Sequence, residues 1–360
     1  MNDKPVYRIF GLGGAGVRLA AAVCARTGGR LSSFSVDTDQ GELDARDIQD
    51  RSYLLGRDRF GSLGSAGDAA SVRMCAEEER AAFARELDGV SVAVVAAGLG
   101  GGTGAGALPV LLRLAEERRI PVVSVLLAPF SMEGPERLRA ASTALRELGG
   151  LGTVRILLPN DDLAPAASDL PLQAAMARAT DVAASALSLL WKMSELRGYI
   201  NVPPADVARM LRNGRGAVDL GRAVATGPRR FSEATDALWN QPGLGLARKA
   251  SGAKAALVCV LGGPDLRLQE AGDAVGAVSA LLPFGTPVRL STVVDPDAAG
   301  VLEIVVLLFR RWAEPGASEE GPAAAAAPAG RFDATPATLE GDENLDVPTF
   351  LRRRINFDPD

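Results

Sequence analysis

Histidine is absent from the 360 residues, and cysteine occurs three times, at Cys24, Cys75 and Cys259. The first absence removes imidazole metal ligands, Ser-His-Asp chemistry and the usual general base. The second leaves neither a disulfide framework nor a thiolate metal cluster, because the three thiols stand far apart in the chain. Long apolar runs are missing as well. The longest, Ile120–Phe130 and Val301–Phe309, fall short of the ~20 residues that span a bilayer. Met1–Phe10 lacks the basic-then-apolar build of a signal peptide, so a cytoplasmic chain with no direct membrane span is expected. Positive charge is in deficit, with 39 Lys+Arg against 44 Asp+Glu and a formal charge of -5, which argues against nucleic acid as a partner. No GxxxxGK[ST] loop occurs either, so a phosphate would have to be held without that lysine.

What is present is ordinary for a globular protein: 47% hydrophobic and 23% charged residues. At ~100–200 residues per domain the length suggests two domains. In the first 160 residues strand-like runs (Val6–Phe10, Leu31–Val36, Val90–Ala97, Pro121–Ala128, Thr153–Pro159) alternate with helix-like stretches. Those stretches are Gly14–Arg26, Arg73–Leu87, Gly106–Glu117 and Pro135–Leu148, and the alternation predicts a parallel sheet covered by helices. Apolar spacing from Leu172 to Leu196 predicts a long helix, buried between layers near Trp191 and joining two domains. Strand-like runs at Ala255–Leu261, Thr286–Val294 and Val301–Phe309, with helical patterns at Arg230–Trp239 and Arg267–Leu281, predict a smaller second α/β unit. Ala313–Glu343 is an Ala/Pro run with seven acidic residues and one Arg, the composition of a disordered linker. Beyond it Leu345, Val347, Phe350 and Leu351 form an apolar island before Arg352–Arg354, either a partner-docking peptide or a segment that folds back.

Two glycine clusters carry the chemistry. Gly11-Leu12-Gly13-Gly14-Ala15-Gly16 follows a strand and opens a helix, so backbone N–H groups and the helix dipole can meet a phosphate. It fits GxGxxG, with Asp37 and Asp39 ending the next strand, and alone would suggest a dinucleotide-dependent oxidoreductase. The second cluster, Gly98–Gly106, holds five glycines in the seven positions from Gly100, with Thr103 adding a hydroxyl donor. Two such loops on adjacent parallel strands suggest a nucleotide whose phosphates are held mostly by backbone. On the same rim Glu133 and Arg137 can reach a ribose or a terminal phosphate, or form a plain i, i+4 pair. Asn160 can bond ribose or base, or cap a helix. Asn201-Val202-Pro203-Pro204-Ala205-Asp206 is, by residue type, also how an ordinary helix begins.

The order of these blocks resembles the tubulin/FtsZ family. Gly100–Gly106 stands where that family keeps its GGGTGxG signature. The likeness continues through Val36-Asp37-Thr38-Asp39, Pro129–Gly134 with Arg137, Pro159-Asn160-Asp161, Asn201-Val202 with Ala205-Asp206-Val207, and Ser251–Lys254 through Gly262–Leu266. Leu345–Arg352 resembles the family's tail peptide. The resemblance implies a Rossmann-like, parallel-sheet GTPase domain at 1–205, with a central helix at about 172–196. A smaller α/β domain at 206–312, a disordered linker at 313–343 and a docking peptide at 344–354 would follow. It also implies a GTPase, active at the division site, that polymerises head to tail into cell-division filaments, with GTP/GDP bound and Mg2+ carried on the phosphates. The implied nucleotide contacts are Gly13, Gly14, Ala15, Arg18, Asp39, Gly100, Gly101, Gly102, Thr103, Gly104, Glu133, Arg137 and Asn160. Thr180 or Asp181 would read the base, and Asn201 and Asp206 would complete the site of the next subunit. Leu345, Val347, Pro348, Phe350 and Leu351 would dock on membrane-tethering adaptors of the FtsA/ZipA type. The chain departs from the family pattern at Arg18, Ala105, Met176 and Pro203. Pro203 replaces a second acid, which keeps open a divergent paralogue that assembles with little hydrolysis.

Overall fold

The computed structural model describes residues 6–45, 51–149, 151, 154–163, 171–195, 200, 216–240, 245–247, 249–311, 339–340 and 343–344. Residues 1–313 form one compact unit and 314–360 a second. In the first unit ten strands make a single sheet. Its elements begin with β1 (Tyr7–Leu12), α1 (Gly13–Arg26), β2 (Ser32–Asp37), α2 (Gln40–Asp44), β3 (Arg51–Leu54), α3 (Arg57–Phe60), α4 (Ala69–Glu78) and α5 (Arg80–Glu86). Then come β4 (Val92–Gly98), α6 (Gly102–Glu117), β5 (Val122–Ala128), α7 (Pro135–Glu147), β6 (Val154–Pro159), α8 (Asn160–Leu163) and α9 (Leu172–Glu195). Last are β7 (Gly216–Thr226), α10 (Arg230–Asn240), β8 (Ala255–Gly262), α11 (Leu268–Leu281), β9 (Val288–Val294) and β10 (Val301–Phe309). In the second unit Leu339–Glu340 pairs antiparallel with Glu343–Asn344, at the end of the 313–343 stretch expected to be unstructured and one residue beyond it.

The strand order is β3-β2-β1-β4-β5-β6-β7-β10-β8-β9. From β3 to β7 every neighbouring pair is parallel, as the strand–helix alternation predicts. β10 then runs antiparallel to both β7 and β8, and β9 closes the edge parallel to β8. Continuous apolar strands such as β8, buried along its whole length, fit a sheet covered on both faces. Phe10, Phe34, Phe83 and Leu108 belong to the core on one face of the first half, under α4–α7. Val258, Val260 and Val306 belong to a second, with α10 and α11. The third core runs along the opposite face from Ile9 in β1 through Ile156 and Leu257 to Val305 in β10. Ala183, Ala186, Leu187, Trp191 and Met193 of α9 lie in it, so the helix predicted to join two units packs against strands from both halves.

Three differences from expectation have local causes. The single helix expected at 73–87 breaks at Glu79, whose carboxylate accepts from the Tyr53 hydroxyl at 2.7 Å and from the Gly56 N–H at 3.0 Å. β7 escapes period-two reading because Asp219 and Arg222 interrupt it. Both are paired, Arg222 with Glu303 across the ladder at 2.7 Å and Asp219 with Arg310 at 2.5 Å. α6 starts at Gly102 rather than Gly106, which puts its first turn inside the glycine cluster.

Candidate functional site

In a parallel sheet the loops leaving the strand C-termini share one rim, and ligands bind there. Here the loops after β1, β2, β4, β5 and β6 surround a cleft of about 700 Å³. Its walls include Gly13, Gly14, Ala15 and Arg18 of α1, Asp39 after β2, and Gly100, Gly101, Gly102, Thr103 and Gly104 at α6. Glu133, Arg137 and Asn160, also expected from the sequence, line it as well.

Among the helices that begin at this cleft, α1, preceded by Leu12, and α6, preceded by Gly101, have neither a side-chain cap nor an acid in the first turn. By contrast Asp39 caps α2 and Asp68 caps α4. The first N–H groups of an α-helix have no intrahelical acceptor, so two bare N-termini at one cleft form a seat for an anion. The two loops touch. Gly13 adopts a left-handed φ of +71°, and a Cβ there would lie 3.0 Å from the Gly104 nitrogen. A Cβ on Gly104 would collide with the Gly98 carbonyl oxygen, and one on Gly102 with the Ser65 hydroxyl. Glycine is needed here for close approach of backbone to backbone.

Beneath the loops lies a buried polar chain. Asp37, 4% exposed, accepts from the Thr38 N–H at 2.7 Å and from the Thr103 hydroxyl at 3.0 Å. The Thr38 and Thr103 hydroxyls are 2.8 Å apart. Because Thr103 has one proton and gives it to Asp37, Thr38 donates to Thr103. Burial pushes the Asp37 carboxyl above its ordinary range, against the hydrogen bonds that oppose the shift. On the far rim Glu133 accepts from the Phe130 N–H at 2.8 Å and pairs with Arg137 at 2.5 Å. Asp161 takes the Ser131 N–H at 3.0 Å, tying the loops after β5 and β6 together.

The sequence reading missed part of the wall. Glu42, Glu136 and the loop Leu63-Gly64-Ser65-Ala66-Gly67 also line the cleft. Positive φ angles at Gly61, Ser62, Gly64, Ala66 and Gly67 shape that loop, and glycine at every third position was its legible signal. Thr180 and Asp181, expected to read the base, are not among the residues lining the cleft. The Thr180 hydroxyl donates to the Met176 carbonyl at 3.2 Å, and Asp181 pairs with Arg26 of α1. Met176, one turn earlier, does line the cleft. Asn201 and Asp206 lie outside the described residues, as do the tail residues Leu345, Val347, Pro348, Phe350 and Leu351. Ile200, just before Asn201, exchanges bonds with β9: its N–H reaches the Thr292 hydroxyl at 3.0 Å, and its carbonyl takes the Thr292 N–H at 2.8 Å.

Among the described residues no group of three or more acidic or thiol side chains is arranged to hold a metal ion. No helix among them is long and apolar enough to cross a membrane.

A sheet covered on both faces and parallel from β3 to β7, whose rim offers two uncapped helix N-termini, defines the nucleotide-binding class of fold. Residues 7–168 match the sequence model of the tubulin/FtsZ family GTPase domain, and residues 214–309 that of the FtsZ family C-terminal domain. The cell division protein FtsZ of Pseudomonas putida is 32% identical over 307 residues, covering 85% of this chain and 76% of that one. FtsZ of Azotobacter vinelandii is 30% identical over 358 residues, covering 98% and 89%. Among solved structures an FtsZ dimer from M. jannaschii superimposes with a TM-score of 0.78 at 26% identity, over 86% of this chain and 89% of that one. The chain belongs to the tubulin/FtsZ family, GTPases that assemble into polymers.

Proposed function

We propose that the cleft binds GTP and GDP and that the chain assembles head to tail, each subunit completing the GTPase site of its neighbour. The observation that carries the binding reading is the meeting of two uncapped helix N-termini over the Asp37–Thr103–Thr38 chain. In this reading Gly13, Gly14, Ala15 and Gly100–Gly104 cradle the phosphates, and Asp39, Glu133, Arg137 and Asn160 hold the ribose and the terminal phosphate. The base end lies toward Met176, with Thr180 and Asp181 one turn beyond it.

Phosphoryl transfer needs positioning and charge stabilisation more than covalent help. Backbone dipoles can supply both without histidine or a phosphate-binding lysine. The donor set fits Mg2+ bound through the nucleotide's oxygens rather than in a protein cage. When bound, the ion neutralises charge on the phosphates. Asp206, together with Asn201, would orient the attacking water in the adjoining subunit's site. The division of the chain at 205/206, with a linker at 313–343 and a docking peptide at 344–354, goes with this reading. So does recruitment to the division site by adaptors of the FtsA/ZipA type through Leu345, Val347, Pro348, Phe350 and Leu351.

The test is phosphate release from GTP across a protein dilution series, with light scattering followed in the same sample. Specific activity rising with scattering above a threshold concentration supports a site built between subunits, and Asp206→Ala should then spare binding and abolish the rise. Scattering without phosphate release would favour the second reading, a nucleotide-gated polymer with little turnover, to which Pro203 points.

A further inference from the structure

Arg18 and Glu42 form an ion pair on the cleft wall, with 3.2 Å between Nη1 and Oε2. Long helical side chains lean toward the helix N-terminus and cover the turn before their own Cα. Arg18 does so: its Nη1 lies 3.4 Å from where a Cβ on Gly14 would stand, and Glu42 Oε2 lies 3.0 Å from the same point. The pair therefore sits over the first turn of α1, where the uncapped N–H groups gather. A cation beside a helix N-terminus is electrostatically misplaced unless an anion accompanies it. Glu42 is the anion the chain supplies, and a phosphate is the anion the cleft is built to receive.

We propose that Arg18 is a phosphate-binding cation for which Glu42 and the nucleotide's phosphates compete. The proposal rests on the reading of the cleft as a nucleotide site and assigns a gate within it. Arg18 is the sole cation that α1 and α2 contribute to the cleft lining; the other lining cation, Arg137, pairs with Glu133 on a different wall. Arg18 and Glu42 side chains are 31% and 37% exposed, so water screens the pair and it exchanges readily. A phosphate offers the guanidinium a bidentate, charge-assisted geometry that is stronger than a half-exposed carboxylate contact. Glycine at position 14 leaves the space in which the exchange takes place. Glu42 opposes nucleotide entry in a second way, since its charge adds to that of the buried Asp37 close by.

The experiment is calorimetric titration of the full chain with GDP in magnesium buffer, using Glu42→Gln, Arg18→Gln and the double variant. Glu42→Gln should tighten GDP about two- to fivefold, the weight of a half-exposed ion pair. Arg18→Gln should weaken it, and in that background Glu42→Gln should bring no gain. Guanosine, which lacks phosphate and is read by competition, should bind all four proteins alike. Weaker GDP binding by Glu42→Gln would overturn the proposal, because Glu42 would then be a nucleotide contact. An equal gain in the Arg18→Gln background would also overturn it, leaving only a general field of the carboxylate. If the unaltered chain bound no GDP, the nucleotide reading itself would fall; binding without the predicted coupling would sink the gate alone.

Discussion

Gly104→Ala and Gly276→Ala are the same chemical change in two helices, and the packing around them demands opposite outcomes. In a helix interior alanine is favoured over glycine by about 0.8–1 kcal/mol. Gly276 is exposed in α11, and a Cβ there meets nothing within 4 Å, so the propensity gain should appear in full. With an unfolding entropy of about 2.1 cal/mol/K per residue, a unit of about 300 residues shifts by ~1.5 °C per kcal/mol, so its melting point should rise by about 1–1.5 °C. Gly104 lies in the first turn of α6, where a Cβ would overlap the Gly98 carbonyl oxygen. That neighbour is backbone of a buried strand and cannot rotate away. Overpacking of this kind costs ~1–3 kcal/mol, enough to erase the propensity gain and leave a net loss of up to about 2 kcal/mol. The larger effect should fall on GDP binding, because relief of the clash moves the α6 N-terminus away from Gly13. Urea unfolding of both variants, alone and with GDP, reads both quantities. A stabilised Gly104→Ala that binds GDP as tightly as the parent would refute the claim that the first turn of α6 is pressed against the end of β4.

Asp37→Asn keeps an acceptor for Thr103 and Thr38 and removes a buried charge. Because burial raises the folded pKa above the unfolded 3.8, ionised Asp37 costs stability as pH rises through the folded value. The variant should therefore be the more stable protein at pH 7, with its advantage gone below about pH 4, as thermal unfolding against pH will show. Phe83→Ala should cost about 3–5 kcal/mol in urea unfolding, since the ring is fully buried and packs edge-on to Phe34. Arg230→Met should destabilise more at pH 7 than in acid. Arg230 holds the Glu270 carboxyl below its usual 4.5, a contribution present above that value and lost as pH falls through the folded one.

Strands buried on both faces were legible because they read as unbroken apolar runs; β10 occupies the residues its sequence suggests. The elements that escaped notice are those whose stability is not written in apolar period. β3 is a four-residue edge strand with Arg51 and Ser52 exposed. α2 and α3, at five and four residues, are too short for a hydrophobic stripe. Within the cleft the glycine clusters and Asp39 announced themselves, because backbone approach to an anion requires those residue types. Glu42 and Glu136 look like surface acids in one dimension, and only the tertiary fold brings them to the cleft wall. Spacing along α9 also cannot show that Asp181 pairs with Arg26 of α1 while Met176, one turn earlier, lines the cleft.

The charge of the cleft gives the backbone its importance. Two arginines, Arg18 and Arg137, face five carboxylates on the lining, Asp37, Asp39, Glu42, Glu133 and Glu136. Both arginines are engaged by acids of the cleft itself. On the proposed reading, a nucleoside triphosphate would meet described side chains that, taken together, repel it. Attraction would then come chiefly from oriented N–H dipoles, which carry no net charge, from a divalent cation travelling with the phosphates, and from Arg18 once Glu42 releases it. Such a site separates retention from long-range attraction: it holds the nucleotide by contact geometry rather than by a field. A substitution that shifts the glycine loops should then cost more affinity than one that removes either arginine. That ordering is the reverse of what a lysine- or arginine-lined phosphate site would give.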